Sequence, residues 1–156
     1  MTRWTRFCRA VTLLDPPYAA FVRTAQGAVA SLSPELFLRR TGAAVASRPI
    51  KGTNRRSSRA QRAARQRGAL ERSAKDRAEN VMIVDLVRND LSQVCVEGSV
   101  RVPLLAQAEP HPGVWHLVSD VRGVLSPGTG DGDLLRAAFP PGSVTGAPKV
   151  RAGGHR

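Results

Sequence analysis

A mixed fold of antiparallel strands and packed helices is what this 156-residue sequence predicts, and three observations carry it. Between residues 18 and 50, short β-prone runs alternate with turn residues. From about Ser58 to Cys95 there is no proline, and Gly68 is the only glycine, in sequence rich in alanine, arginine and glutamate. From Gly98 to Leu125 strand character returns, with Val100, Val102 and Leu104 alternating with polar or turn residues. An apolar content of 42% excludes wholesale disorder and supplies one domain with a moderate core. No run approaches the ~18 uncharged apolar residues that a membrane span needs.

Element by element, Met1–Leu14 has arginines breaking every apolar stretch and no small-residue cleavage site. It reads as neither a signal peptide nor a recognisable structural unit, and residues 1–15 stay unassigned. Ala19–Thr24, Ala28–Leu32 and Ala43–Ser47 are the expected strands, separated by Gly27, Pro34 and Gly42. The stretch after Ser58 is expected to form one long helix, or two broken near Gly68. Its second half, Val81–Leu91, is apolar around most of its circumference and predicts a buried helix. Pro110, Pro112 and Gly113 interrupt the next strand region, and His116–Val124 forms a second strand. A short helix over Asp133–Phe139 precedes a Gly/Pro-rich loop over Pro140–Lys149, where Thr145 is placed to cap a further helix with Pro148 in its first turn. That helix is cut off by Gly153-Gly154-His155-Arg156, which reads as a truncation. Cys8 and Cys95 lie far apart with no metal spacing, so reduced thiols and a cytoplasmic protein are expected.

Charge is unevenly spread. Residues 1–70 hold 14 Lys and Arg against Asp15 and Glu35, whereas residues 71–156 hold ten basic and ten acidic residues, so the first part carries the whole net charge of +12. The excess peaks in Arg55, Arg56, Arg59, Arg62, Arg65 and Arg67. Such a block can grip phosphates, which keeps a basic nucleic-acid-binding protein as the reading from another class. A solvated arginine-rich loop running into a helix explains it as well, and no aromatic residue is interleaved to stack bases. Of 24 basic residues only Lys51, Lys75 and Lys149 are lysine, in the arginine-, alanine- and glycine-rich usage of a GC-rich genome. The lysines are therefore candidates for positions where arginine cannot substitute, because only an amine can lose its proton and act as nucleophile or base.

Three stretches occur together. Ser33-Pro34-Glu35 precedes Arg48-Pro49-Ile50-Lys51-Gly52-Thr53; Lys75-Asp76-Arg77-Ala78-Glu79-Asn80 runs on through Val84-Asp85-Leu86-Val87-Arg88-Asn89-Asp90; and His116-Leu117-Val118-Ser119 precedes Gly142–Lys149. In this order they resemble the motifs of the chorismate-utilising enzymes, a family that includes anthranilate synthase component I, aminodeoxychorismate synthase component I, isochorismate synthase and salicylate synthase. The resemblance runs from about Pro16 to Ala152. It implies an α+β fold in which helices pack on antiparallel sheets, with residues 16–152 an incomplete portion of the catalytic domain and 153–156 a tail foreign to the family.

The resemblance also implies roles. Lys51 occupies the position where anthranilate synthases carry alanine and aminodeoxychorismate synthases carry the lysine that attacks C2 of chorismate. It points to amination of chorismate to 4-amino-4-deoxychorismate in folate synthesis, with an anthranilate synthase-like enzyme as the alternative that Lys51 argues against. Glu35 matches the general acid/base glutamate, a role that needs a group able to shuttle a proton. Glu79 matches a Mg²⁺-binding glutamate, and a hard carboxylate oxygen suits that ion; an i,i+4 pair with Lys75 is the plainer role for it. Asp76 is the neighbouring acid to test as a helper. Asp85, Arg88, Asn89 and Asp90 read as a structural polar network with an Asp85–Arg88 pair. His116 matches the histidine at the leaving-group end of the substrate, Thr53 and Gly52 are expected at the ring, and Gly146, Ala147 and Lys149 at a carboxylate. Implied partners are chorismate and a glutamine amidotransferase subunit or domain that supplies ammonia. The second Mg²⁺ glutamate and the Arg and Tyr that hold the side-chain carboxylate have no counterpart here, so the chain alone is expected to be essentially inactive, with a non-functional remnant as the third reading.

Overall fold

The computed structural model describes residues 1–145, in two units, Met1–Leu36 and Phe37 onward. In the first unit, α1 (Arg3–Leu14) occupies the segment that the sequence left unassigned. Thr2 caps it by accepting from the Thr5 N–H, and Asp15 ends it in the left-handed region with its N–H on the Val11 carbonyl. Trp4 and Phe7, one turn apart, meet Phe21 at ring distances of 5.3 Å, which gives the helix its apolar stripe despite the arginines between. Phe21 belongs to β1 (Tyr18–Arg23), which forms an antiparallel hairpin with β2 (Ala28–Ser33) through the Gly27 turn.

The second unit is a five-stranded antiparallel sheet organised by its last strand. After β3 (Leu36–Thr41) come β4 (Ala44–Arg48) and β5 (Ile50–Arg55), separated only by Pro49. Helices α2 (Ala60–Glu71) and α3 (Ala74–Ser92) follow, then the long hairpin of β6 (Arg101–His111) and β7 (Val114–Val124), α4 (Asp131–Ala138) and the one-turn α5 (Gly142–Thr145). One edge of β7 pairs with β5 along Val114–Val118 and with β4 along Val121–Val124; its other edge pairs with β6. β4 and β5 thus lie end to end along one partner. Pro49 has no N–H to donate, and its carbonyl instead accepts from the Ser119 N–H at 3.1 Å.

Several expectations need correction. Gly68 lies inside α2, and the helix pair breaks at Arg72-Ser73, because Ser73 accepts the Asp76 N–H and starts a new helix with Asp76 in its first turn. α3 is not buried all round: Ile83, Val84 and Leu91 face the sheet, whereas Val81 and Met82 stand 45% and 41% exposed. β6 runs straight through Pro110 as far as His111, so only Pro112-Gly113 makes the turn. Thr145 is the last described residue and already lies within α5, its hydroxyl donating to the Pro141 carbonyl; the helix expected beyond it, with Pro148 in its first turn, falls outside the described residues.

The core packs Val84, Leu91 and Cys95 from α3 and its exit against Val45, Val121, Leu125 and Leu134. Leu91 is fully buried, so Leu91→Ala is expected to destabilise the fold by ~2–5 kcal/mol, while Val81→Ala on the open face stays within ~0.5 kcal/mol. Urea unfolding of the two variants checks this; equal midpoints would contradict the assigned faces. A smaller cluster places Leu70 of α2 on Ala108 and Leu117, with Trp115 alongside. Arg56 and Arg67 lie over the Trp115 ring at 5.4 and 5.8 Å, so two arginines of the basic run are tied to the sheet.

Candidate functional site

The site begins with an irregularity in β5. From Ile50, opposite Val118, to Thr53, opposite His116, β5 advances by three residues and β7 by two. Lys51 and Gly52 therefore share Leu117 as partner, the arrangement of a β-bulge, which re-aims a side chain and frees backbone groups from the ladder. Gly52 adopts φ +92°, and a Cβ there would stand 2.9 Å from Asp76 Cβ and 3.1 Å from Leu117 Cδ1. The bulge thus has room only for glycine, and Asp76 is the group that packs over it. The half-buried Lys51 side chain donates from Nζ to the Ser143 carbonyl at 2.8 Å. α5 comes close enough to offer that carbonyl because Gly142 lies flat on Leu86 of α3, where a Cβ would meet Leu86 Cδ1 at 2.9 Å.

Two residues along, Thr53 and His116 face each other across the β5–β7 ladder, and Thr53 Oγ1 lies 2.8 Å from His116 Nδ1. With the hydroxyl donating, the neutral ring carries its proton on Nε2. The His111 ring stands edge-on to His116 at 4.8 Å between centroids. Burial first, and the charge of His111 second, push the His116 imidazole below its ordinary value. A depressed histidine contributes stability that is complete above the unfolded value near 6.5 and is lost as pH falls through the lower native value. Acidification below about 6.5 is therefore expected to weaken the fold through His116. His111→Phe should raise the His116 midpoint while leaving it below the ordinary value, as read by NMR of the imidazole protons; an unmoved midpoint would leave burial as the only cause.

Glu79 lies on α3 with its side chain 46% exposed, 4.0 Å from Lys75, an i,i+4 pair of the ordinary kind. Asp85 and Arg88 pair at 3.4 Å on the exposed side of the same helix, as expected from their spacing. Glu35 belongs to the first unit, in a tight turn where its N–H donates to Ser33 Oγ at 3.1 Å and the Ser33 hydroxyl donates back to its carbonyl. Lys51, Gly52, Thr53 and His116 are thus brought together on β5 and β7, and Asp76 joins them from α3. Gly146, Ala147 and Lys149 lie outside the described residues.

Sequence reasoning missed three participants. The Ser143 carbonyl carries no sequence signal, and His111 belongs to no recognisable motif. The third is Asn80, 1% exposed in the middle of an apolar helix face, where a buried amide among Ile83 and Val84 was the available sign.

The family model described as chorismate binding enzyme matches residues 4–153, so it takes in α1 as well. The chain is 51% identical over 149 residues to aminodeoxychorismate synthase component 1 of Escherichia coli (strain K12), covering 96% of this chain and 33% of that protein. It is 41% identical over 145 residues to anthranilate synthase component 1 of Aquifex aeolicus (strain VF5), covering 92% of this chain and 29% of that one. Among solved structures, anthranilate synthase component I from Streptococcus pneumoniae TIGR4 superposes with a TM-score of 0.82 at 29% identity, over 97% of this chain and 33% of that one. The chain spans about a third of the length of these relatives.

Proposed function

The chain belongs to the chorismate-binding enzymes, and on that footing we propose that it carries the nucleophile-bearing part of an aminodeoxychorismate synthase component 1. The activity is amination of chorismate to 4-amino-4-deoxychorismate, the branch that leads to para-aminobenzoate and folate. The observation that carries the reading is Lys51: a primary amine at the bulge of β5, in the motif position that separates amination from anthranilate formation, in a chain 51% identical to a component 1.

Lys51 Nζ forms a bond to C2 of chorismate, both conjugated ring double bonds shift by one position, and the C4–O bond breaks, with the hydroxyl leaving as water on a proton from Glu35. Ammonia then bonds to C4, both double bonds shift back, and the C2–Nζ bond breaks to release Lys51, while Glu35 takes the surplus proton of the incoming nitrogen. Chorismate and ammonia thereby become 4-amino-4-deoxychorismate and water. Only a neutral amine can make the attack, which is why arginine cannot stand at this position. The neutral, Thr53-oriented imidazole of His116 serves the departing hydroxyl, and Thr53 and Gly52 line the ring. Gly146, Ala147 and Lys149 complete the substrate contacts, and a glutamine amidotransferase subunit or domain supplies the ammonia.

Mg²⁺ is the metal that the family implies, and Glu79 is the residue here to ligate it. Among the described residues no group of three His, Cys, Asp or Glu side chains converges on one point, so they do not by themselves compose a centre for this ion. No step above passes through it.

A hybrid tests the reading: the E. coli component 1 with its matching segment replaced by this one, supplied with Mg²⁺ and chorismate. Without ammonia, the Lys51 peptide should gain the mass of chorismate less water; an ammonium salt at alkaline pH should discharge it as 4-amino-4-deoxychorismate. Anthranilate as product, or amination with no lysine-bound species, would overturn the proposal.

A further inference from the structure

We propose that Asn80, anchored by Ser119, is the positioning residue for Lys51, a reading that rests on the function proposed above. β7 has a bulge opposite it on each edge. On one side of β7, Lys51 and Gly52 oppose Leu117; on the other, β6 advances from Leu104, opposite Asp120, to Gln107, opposite Val118, so Leu105 and Ala106 oppose Ser119. Ala106 takes φ +47°, rare for a residue with a Cβ. Each bulge leaves backbone groups without a ladder partner, and buried backbone groups must find one.

Asn80 and Ser119 supply what is missing. The Asn80 amide donates one N–H to the Leu117 carbonyl at 3.0 Å and the other to the Lys51 carbonyl at 3.4 Å. Its oxygen accepts from the Ser119 hydroxyl, and Ser119 Oγ in turn accepts the Ala106 N–H at 2.8 Å. The Ser119 main-chain N–H holds the Pro49 carbonyl. Both side chains are buried, at 1% and 0% exposure, so no water competes. Every donor and acceptor in this chain has a consistent role: the hydroxyl gives one proton and receives one, and both amide hydrogens are used. The backbone of the Pro49-Ile50-Lys51 segment is gripped at carbonyls on both sides of Ile50. The lysine stem therefore leaves a fixed base, and only its tip is free to move between the Ser143 carbonyl and a substrate carbon. Aspartate at 80 has no N–H to donate, and an apolar residue would orphan both carbonyls. The arrangement also accounts for a polar amide inside the buried face of α3, next to Glu79, which helix stability alone does not call for.

Two readouts test the proposal. In the 156-residue chain, brief acylation followed by peptide mass spectrometry compares Lys51 with Lys75, whose 85% exposed side chain is the internal reference. Asn80→Ala and Asn80→Asp are expected to raise the Lys51-to-Lys75 ratio by ~3-fold or more, because local release exposes the amine. Leu91→Ala, which loosens the core away from these groups, should leave the ratio unchanged. Ser119→Ala, milder than either Asn80 variant, should move the ratio in the same direction and keeps the test alive if Asn80→Ala does not fold. In the hybrid enzyme, Asn80→Ala should lower kcat by ~10–100-fold with KM for chorismate little changed. The proposal is overturned by a ratio that Asn80→Ala leaves unmoved, by an equal shift in Leu91→Ala, or by a loss of kcat matched by a rise in KM. Amination in the unsubstituted hybrid without a lysine-bound species would instead overturn the function proposed above, and the acylation ratio would still judge the clamp.

Discussion

Lys51→Ala in the hybrid enzyme is expected to abolish amination, by at least ~10³-fold, which corresponds to ~4 kcal/mol of lost barrier lowering. The magnitude follows from the step removed. Without the amine there is no bond to C2, and ammonia faces the C4 centre with nothing to expel the hydroxyl. Chorismate should still bind, because its ring and carboxylates are held by other groups, so the defect should fall on kcat with KM little changed. Lys51→Arg should be as inactive as alanine: the guanidinium keeps the charge and can still donate to the Ser143 carbonyl, but it does not become a nucleophile at any accessible pH. Product assay by chromatography and adduct detection by mass spectrometry decide together. Near-normal turnover by either variant would remove the covalent route.

Gly52→Ala should be severely damaging for so small a substitution. Two costs combine there. The residue sits at φ +92°, where a side chain is strained by ~1–3 kcal/mol. Its new methyl would meet Asp76 Cβ at 2.9 Å and Leu117 Cδ1 at 3.1 Å, and such overpacking adds ~1–3 kcal/mol. Neither neighbour is a flexible tip, since one atom belongs to the stem of a helical residue and the other to a fully buried leucine. The sum is a large share of the ~5–15 kcal/mol that holds a domain together. Gly42→Ala separates the two costs, because Gly42 has φ +61° with nothing within 4 Å of a Cβ. Urea denaturation should rank Gly52→Ala well below Gly42→Ala, and Gly42→Ala moderately below the unsubstituted chain. Equal losses at both positions would show that the Asp76 contact yields freely.

Much of this fold was legible because periodicity and turn residues state it directly. The β1 and β2 runs, the two helices after Ser58, the β7 strand and the short α4 all follow from residue patterns. What was not legible depends on partners distant in the chain. α1 was hidden because arginines at every third position mask the Trp4–Phe7 stripe, which gains meaning only against Phe21. The break at Ser73 was missed because Gly68 is the more visible breaker, although a serine able to accept the Asp76 N–H is the physical cause. Lys51, Thr53 and His116 were readable as motif residues, and the β5–β7 ladder then joins the last two. The bulge and the Asn80–Ser119 chain were not readable, since an extra residue in one strand leaves no trace in apolar spacing and a buried amide is indistinguishable from a surface one until its neighbours are known.

The order in which the chain emerges bears on β7. β4 and β5 both depend on this one strand, and it is the last of the sheet to be made. Between Arg55 and Val114 lie about 60 residues, so at synthesis rates of ~5–20 residues per second β5 waits roughly 3–12 s for its partner. During that interval its open edge is free to join the same edge on a neighbouring nascent chain. The arginines from Arg55 to Arg67, with no acid among them, follow that edge immediately and repel a second copy carrying the same run. The densest charge in the molecule thus lies directly beside that edge for the whole of the interval.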